Sequence, residues 1–175
     1  MHEQNYLAKY TMTYGLYLGA TFSAAVIGFK ILGQIHIPGD SIGMINTMLF
    51  SFASLYLGKR YRDSLIPEIF TYRQAFKFTV LLSVFSAFIY AFFSYWYYNS
   101  IEPQGINYYI DQVQLIYAQQ KNLTEEQANA LIALYRSAIS PGMMAFIIFL
   151  FQSFIGILVG LLVAVFIKTP VKIDK

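Results

Sequence analysis

Few residues of this chain have the chemistry of a functional site, and Lys30 is the foremost of them. It is the only ionisable side chain clearly inside a long apolar run. A charge within a membrane-spanning segment is a candidate functional site, because hydrocarbon solvates it poorly. Lys30 lies about one helical turn from the end of its run, so its stem can carry the ammonium group to the lipid headgroups. We expect this snorkelling. If Lys30 is instead buried, we expect a carboxylate partner such as Asp40, Glu102 or Asp111, and a site for an anionic headgroup or substrate.

A second candidate group consists of Arg60, Arg62 and Asp63, in a basic segment between two apolar runs. Their charges could contact a lipid phosphate or a partner protein. A basic cluster beside a membrane span is more often a topology signal, and Asp63 could simply pair with Arg62. We therefore expect these residues to orient the chain, with contact to a lipid phosphate or a partner protein as the alternative.

Catalytic and metal-binding patterns are missing from the sequence. There is no cysteine, and neither His2 nor His36 has a carboxylate or histidine at metal-ligand spacing. The phosphate-binding loops, the GxSxG nucleophile motif and the paired carboxylates of intramembrane proteases are also absent. We predict a protein that is not an enzyme and that uses no cofactor. Since no basic face could follow a phosphate backbone, we also predict no nucleic-acid partner.

The elements that position these residues are helices that cross a membrane. Of the 175 residues, 57% are hydrophobic and only 12% are charged, whereas soluble domains are about 25% charged. Runs of roughly 20 apolar residues are long enough to cross a bilayer as helices. The sequence predicts an all-α, integral membrane fold in a single domain, residues 1–175. Its four transmembrane helices are expected at about 11–33, 42–57, 72–98 and 142–167.

The second predicted span is short and carries a polar stripe. Thr47, Ser51, Ser54 and Gly58 recur at helical spacing, so they share one face. We expect this face to point into the bundle, with hydroxyls bonded across helices or to carbonyls of their own helix. The alternative is a polar pathway along the stripe.

Local signals mark the ends of the third and fourth spans. Thr71 and Gln74 match the capping box that opens a helix, and Ser140 with Pro141 opens the fourth span. The third span ends in the aromatic run 95–98, Tyr-Trp-Tyr-Tyr. We interpret this run as an aromatic belt at the far interface, in preference to a platform for a carbohydrate or an aromatic ligand.

Between the third and fourth spans, residues 99–140 are too polar to cross a membrane. Two amphipathic segments lie here, the second opening with a capping box at Thr124 and Gln127. We predict an extracytoplasmic helical hairpin that lies across the mouth of the bundle or on the outer leaflet. The apolar faces are Ile106, Ile110, Val113 and Tyr117 in the first segment, and Ala128, Leu131, Tyr135 and Ala138 in the second.

Two glycine pairs predict a helix contact. Gly15 and Gly19 in the first span, and Gly156 and Gly160 in the fourth, are each four residues apart. Such small-residue faces let neighbouring backbones come close. Since the two pairs lie at overlapping depths, we predict close packing between the first and fourth spans.

The distribution of positive charge predicts the orientation. Nine of the twelve Lys and Arg residues fall on one side of the predicted spans, and only Lys121 and Arg136 fall on the other. Short cationic loops stay in the cytoplasm. We predict a multi-pass membrane protein with both termini cytoplasmic. Five of these cations lie in the segment Gly58 to Lys77: Lys59, Arg60, Arg62, Arg73 and Lys77.

Several short motifs give the chain a resemblance to a family of small bacterial integral membrane proteins, domain of unknown function 4199. They are Tyr14-Gly15, GKRYRD from Gly58 to Asp63, Phe70-Thr71, Ala75-Phe76, and the polar loop before the last span. The resemblance implies a four-helix inner-membrane protein, typical of the Bacteroidetes, without an assigned activity. It also implies a gene sometimes found beside polyprenyl-phosphate glycosyltransferases.

These observations support two hypotheses about function. The first is a non-enzymatic structural or accessory subunit of the cell envelope, in contact with membrane lipids and with a membrane-protein partner or a second copy of itself. An envelope glycosyltransferase is one such partner. The alternative is a small transporter or a lipid- or anion-binding protein, with Lys30 and the stripe from Thr47 to Ser54 lining a polar cavity.

Overall fold

The computed structural model describes residues 2–32, 41–65, 69–118 and 124–169. Within these ranges the secondary structure is helical and includes no strand, so the all-α prediction is confirmed. A π-helical turn, Tyr97–Ile101, continues the third helix. The six α-helices are α1 His2–Ile31, α2 Ser41–Ser64, α3 Tyr72–Trp96, α4 Gln104–Ala118, α5 Glu125–Ala138 and α6 Pro141–Ile167.

Three of the described helices are long and apolar enough to cross a membrane. They are Tyr6–Ile31, Tyr72–Ile101 and Pro141–Ile167, which correspond to the predicted first, third and fourth spans. The helix α2 has 24 residues, but its polar residues and its charged last turns lower its apolar content. Length and composition alone therefore support three membrane-spanning helices.

The helix α3 is the axis around which α1 and α6 are arranged. Both pack along it extensively, whereas α1 and α6 make little or no contact with each other. On α1, Gly15 and Gly19 face α3 so closely that an added Cβ would lie 2.6 Å from the Cβ of Phe85 or 2.7 Å from that of Ile89. The absence of side chains at these two positions is what lets the two backbones approach.

The predicted contact between the first and last spans is therefore wrong. On α6, Gly156 and Gly160 also face α3: a Cβ on Gly156 would overlap Ser83, and one on Gly160 would lie 3.4 Å from Phe76 and Thr79. Equal depth along two helices does not determine the direction in which their small faces point. It is α3 that carries the complementary small side chains, including Thr79 and Ser83.

The predicted helix starts are confirmed. Capping boxes form at Thr71 with Gln74 and at Thr124 with Gln127, in which each threonine side chain accepts a hydrogen bond from the backbone three residues on. Ser140 caps α6 in the same way, with proline at the first helical position. Since capping depends on residues adjacent in sequence, local patterns predict it well.

The basic segment Gly58 to Lys77 is mostly helix rather than a loop. The helix α2 continues to Ser64 and α3 begins at Tyr72, because the Lys, Arg and Tyr residues that follow the apolar run are adequate helix formers. The described part of the short connection is held against the end of α6. Thr169 donates its backbone N–H to the carbonyl of Phe70 at 2.8 Å, and the backbone N–H of Phe70 donates to Thr169 Oγ1 at 3.0 Å.

Candidate functional site

Polar and aromatic side chains concentrate at the two ends of α3. We call the first the basic end; it joins the start of α1, the end of α2, the start of α3 and the end of α6. We call the second the tyrosine end, and it consists of Lys30, Asn46, Tyr90, Tyr97, Tyr98 and Glu102.

At the basic end, Tyr61 of α2 is buried among aromatic rings from three parts of the chain. Its ring centroid lies 5.2 Å from that of Phe78, 5.1 Å from that of Tyr10, 5.7 Å from that of Tyr6 and 5.8 Å from that of Phe70. Aromatic pairs at these distances contribute about 0.5–1.5 kcal/mol each beyond the burial of their area. This cluster therefore joins α1, α2 and α3 through packing.

Arg62 has a structural role at the same end. Its Nη1 donates a hydrogen bond to the carbonyl of Ile167 at 3.1 Å, where α6 leaves carbonyls without intrahelical partners. Its Nε donates to Asp63 Oδ1 at 2.8 Å, which is the ion pair considered from the sequence. Lys59 and Arg60 are exposed beside it. Of the two arginines proposed to contact a lipid phosphate, Arg60 is the more accessible and Arg62 is already engaged.

At the tyrosine end, Lys30 forms an ion pair with Glu102. Its Nζ also lies over the ring of Tyr97, 5.5 Å from the centroid, where a cation is attracted by the ring face. The two charged side chains remain 33% and 21% exposed. Lys30 thus has the carboxylate partner that we expected for a buried lysine, while staying partly open to the surface.

The π-helical turn places Glu102 beside this lysine. The backbone N–H of Glu102 donates to the carbonyl of Tyr97, five residues earlier, at 2.8 Å. A π-turn adds a residue to the helical repeat and so changes the direction of the side chains that follow it, and such turns are frequent at functional sites. A regular helical repeat over this sequence could not have predicted that direction.

The predicted aromatic belt is only partly formed. Tyr95 and Trp96 are about half exposed, as a belt requires, but Tyr97 and Tyr98 are completely buried. Successive helical side chains turn by about 100°, so four consecutive residues cannot share one face. Half of the run therefore points into the bundle, and the prediction was wrong for Tyr97 and Tyr98.

These buried tyrosines leave polar atoms without partners. The hydroxyls of Tyr97 and Tyr98 have no hydrogen-bond partner among the described residues, and the same holds for both polar atoms of the Asn46 side chain. Asn46 is 1% exposed and lies beside the hydroxyl of Tyr90 without completing a hydrogen bond. The sequence contained one signal for this site, since Asn46 is the only amide side chain in the second apolar run.

The polar stripe of α2 is satisfied by its own backbone. Thr47 donates to the carbonyl of Gly43 and Ser51 to that of Thr47, both at 2.8 Å, and Ser54 donates to that of Ser51 at 3.0 Å. This was one of the two arrangements predicted for these hydroxyls. Each of these three hydroxyls already donates its hydrogen to a carbonyl of α2, so it has no further hydrogen to donate to a solute. This arrangement does not favour a polar pathway along the stripe.

The segment between α3 and α6 carries an open pocket next to the tyrosine end. Its volume is about 370 Å³, and its lining includes Glu102, Asn107, Tyr108 and Asp111. Within the described part of the chain, no three His, Asp or Glu side chains lie close enough to hold a metal ion. The pocket is thus acidic and polar without the ligand set of a metal centre.

No curated protein and no solved structure matches this chain. The family described as Protein of unknown function (DUF4199) matches residues 13–169, which include all three candidate spans apart from the start of the first. This agrees with the resemblance inferred from the short motifs. The chain belongs to the DUF4199 family.

Proposed function

We propose that this chain is a non-enzymatic, multi-pass protein of the bacterial inner membrane that acts as a structural or accessory subunit in the cell envelope. The observation that carries the proposal is an exposed apolar strip on α4. Whether that strip lies on the extracytoplasmic side of the membrane depends on the number of spans and on their orientation.

The exposed side of α2 favours a fourth membrane span. Met44, Met48, Phe52 and Tyr56 follow one another at four-residue intervals, and each is 58–73% exposed. Polar residues of the same helix, such as Asn46, point inward. A helix with an apolar outer face and a polar inner face suits lipid on one side and a bundle on the other. An average over all residues of α2 mixes the two faces, and so it understates how well the outer face suits lipid.

The orientation follows from charge. With four spans, both chain termini and the α2–α3 connection lie on one side of the membrane. The cations of the basic end are then cytoplasmic by the positive-inside rule, and α4 and α5 are extracytoplasmic. The described cations at this end are Lys9, Lys59, Arg60, Arg62, Arg73, Lys77 and Lys168.

The helix α4 has two apolar faces, although one would suffice to hold it in place. On the inner face Ile110 is buried, and Ile106 and Val113 are partly buried. On the opposite side lies what we call the outer strip, which is 36–59% exposed. An exposed apolar patch beside polar residues is typical of an interaction site. The outer strip consists of Tyr108, Tyr109, Leu115 and Ile116.

We propose that the outer strip contacts another membrane protein. Aromatic residues, of which the strip has two, are enriched in protein interfaces, and the adjoining pocket supplies polar groups for a rim. An envelope glycosyltransferase that acts on a polyprenyl phosphate is the partner class implied by the family resemblance. The test has to distinguish such a partner from a second copy of the chain and from the outer leaflet.

Site-specific photocrosslinking in native membranes provides that test. A photoreactive amino acid at Leu115 should give a discrete protein adduct, whereas one at the exposed Leu158 of α6 should give only lipid adducts. An adduct of twice the mass of the chain would identify a second copy as the partner. If Leu115 gives lipid adducts alone, the strip lies in the leaflet and the accessory role is refuted.

A second candidate function is favoured by the tyrosine end. The partly exposed ammonium group of Lys30, which an anionic headgroup could reach at the surface by displacing Glu102, suits a lipid- or anion-binding protein or a small transporter. Replacement of Lys30 by leucine distinguishes the candidates. An accessory subunit should keep its Leu115 crosslink, whereas an anion site should lose the anionic lipid retained in native mass spectrometry. Lys77→Leu, on the exposed surface of the basic end, is the matched control.

A further inference from the structure

We propose that the tyrosine end binds an uncharged, hydroxyl-bearing guest, held by Asn46, Tyr97 and Tyr98. The guest is either water or a hydroxyl group of a lipid headgroup, which present the same hydrogen-bonding chemistry. This site goes beyond the proposed accessory function and does not depend on it, since none of its residues belongs to the outer strip.

The first argument is the cost of leaving the site empty. Two tyrosine hydroxyls and both polar atoms of Asn46 are buried without a partner among the described residues. A buried polar group that makes no hydrogen bond loses its hydration without compensation. Most such groups in proteins are satisfied by the chain or by ordered water. Four orphaned atoms in one region therefore indicate a missing partner.

The second argument is that these atoms belong to one neighbourhood. The rings of Tyr97 and Tyr98 meet edge to face, with centroids 5.5 Å apart. Tyr90 precedes Tyr97 by seven residues, which is about two helical turns, so both lie on the same side of the third helix, and the Asn46 side chain lies beside Tyr90. The three elements α2, α3 and the π-helical turn thus direct polar groups toward a shared region, as a site for a single small guest requires.

The third argument concerns the charge of the guest. Asn46 and the tyrosines are neutral hydrogen-bonding groups, which supply both donors and acceptors. Lys30, whose ammonium group lies over the Tyr97 ring, already has Glu102 as its counter-ion. A bare anion would face that carboxylate, and a bare cation would face the lysine, so either would be poorly compensated in a buried site. An uncharged hydroxyl matches these groups without such a penalty.

The fourth argument is access. Lys30 and Glu102 form the rim of the site and are partly exposed. They lie at the ends of the predicted spans, where water and lipid headgroups are both present. The entrance that we propose for the guest is therefore at this ion pair, where Lys30 lies over the ring of Tyr97.

Isosteric removal of the hydroxyls tests the proposal. We expect Tyr97→Phe and Tyr98→Phe each to lower the thermal unfolding midpoint of the full chain in lipid nanodiscs by roughly 3 °C, because a hydrogen bond to the guest is lost. Tyr95→Phe is the matched control at an exposed position of the same aromatic run, and it should leave the midpoint unchanged.

The opposite result would overturn the proposal. If the hydroxyls are unsatisfied in a dry interior, their removal relieves a penalty, so both midpoints should rise or stay the same. Asn46→Leu is a second, nearly isosteric variant with the same logic. It keeps the test decisive if one tyrosine variant does not fold.

The same unfolding measurement in nanodiscs of two different lipids identifies the source of the guest. Nanodiscs of phosphatidylcholine have no headgroup hydroxyl, whereas those of phosphatidylglycerol have two per headgroup. An equal loss of stability in both lipids assigns the guest to water. A loss that appears only in phosphatidylglycerol assigns it to the headgroup. The absence of any loss in both lipids excludes the site.

Discussion

The two ends of α3 are similarly rich in aromatic residues, yet they differ in how their polar groups are used. At the basic end, the Arg62 guanidinium donates a hydrogen bond to a carbonyl in the last turn of α6. The carbonyl of Phe70 accepts from the backbone N–H of Thr169, and the backbone N–H of Phe70 donates to Thr169 Oγ1. Only the Tyr10 hydroxyl is buried there without a partner among the described residues, against four such atoms at the tyrosine end. Two more such atoms, on Gln152 and Ser153, belong to α6 between the two ends. Of the seven atoms in the described part of the chain, four therefore lie where lysine and glutamate form a partly exposed rim.

This difference separates a structural role from a binding role. A cluster in which packing and hydrogen bonds are completed by the chain itself stabilises the fold and has little capacity left for another molecule. A cluster with buried, unpaired donors and acceptors is costly for folding alone, so its presence suggests that something else completes it. Four predictions test this contrast, from the largest expected effect to the smallest.

Tyr61→Ala should have the largest effect, because it removes the ring that joins the helices of the basic end. Truncation of a large buried aromatic costs about 3–5 kcal/mol in the free energy of unfolding. Tyr61→Phe keeps the ring contacts and should retain most of that stability. Denaturant unfolding in detergent, followed by circular dichroism, provides the measurement. Equal effects of the two variants would show that the hydroxyl, not the packing, carries the role of Tyr61.

Gly156→Leu should disturb the axis that both ends share. Any side chain here meets Ser83 of α3, and overpacking of a close helix contact costs about 1–3 kcal/mol. Gly28→Leu is the control, because an added Cβ at Gly28 meets no atom within 4 Å. If both leucines are tolerated equally in a thermal unfolding assay, the α3–α6 contact is looser than described.

Arg62→Leu should weaken the attachment of α2 to the end of α6. Hydrogen bonds from charged donors contribute about 1.5–3 kcal/mol, and partial exposure of Arg62 favours the lower value. Hydrogen exchange of the last turn of α6 is the direct measurement, and it should accelerate in Arg62→Leu but not in Arg60→Leu. Equal acceleration in both variants would indicate an effect of net charge rather than of the bond to Ile167.

The features that the sequence predicted are those determined by neighbouring residues. Long apolar runs located three candidate spans, and the capping boxes at Thr71 and Thr124 were found where the motif placed them. Such features depend on interactions within one or two helical turns. They require no knowledge of how the helices are arranged in space.

The features that the sequence missed depend on rotation and on tertiary contacts. Gly19 and Gly156 face α3 instead of each other, Tyr97 and Tyr98 point into the bundle, and the π-helical turn changes the direction of Glu102. A helical repeat gives the relative angles of residues on one helix but not the direction of the whole helix in the bundle. The role of Lys30 was predictable only as a set of alternatives, because its partner Glu102 is 72 residues away in the chain.

The pair of Lys30 and Glu102 should have the smallest effect on stability. Partly exposed ion pairs contribute roughly 0.2–1 kcal/mol, so a double-mutant cycle with Lys30→Gln and Glu102→Gln should give a coupling energy in that range. The coupling should fall by more than half in 1 M salt, since mobile ions screen accessible charges. A second double-mutant cycle, on the ion pair of Arg62 and Asp63 outside the predicted spans, is the matched control. A coupling of several kcal/mol that salt does not change would mean that the rim is closed to solvent. The tyrosine end would then lack the partly exposed rim that distinguishes it as a binding region, and that part of the contrast would fail.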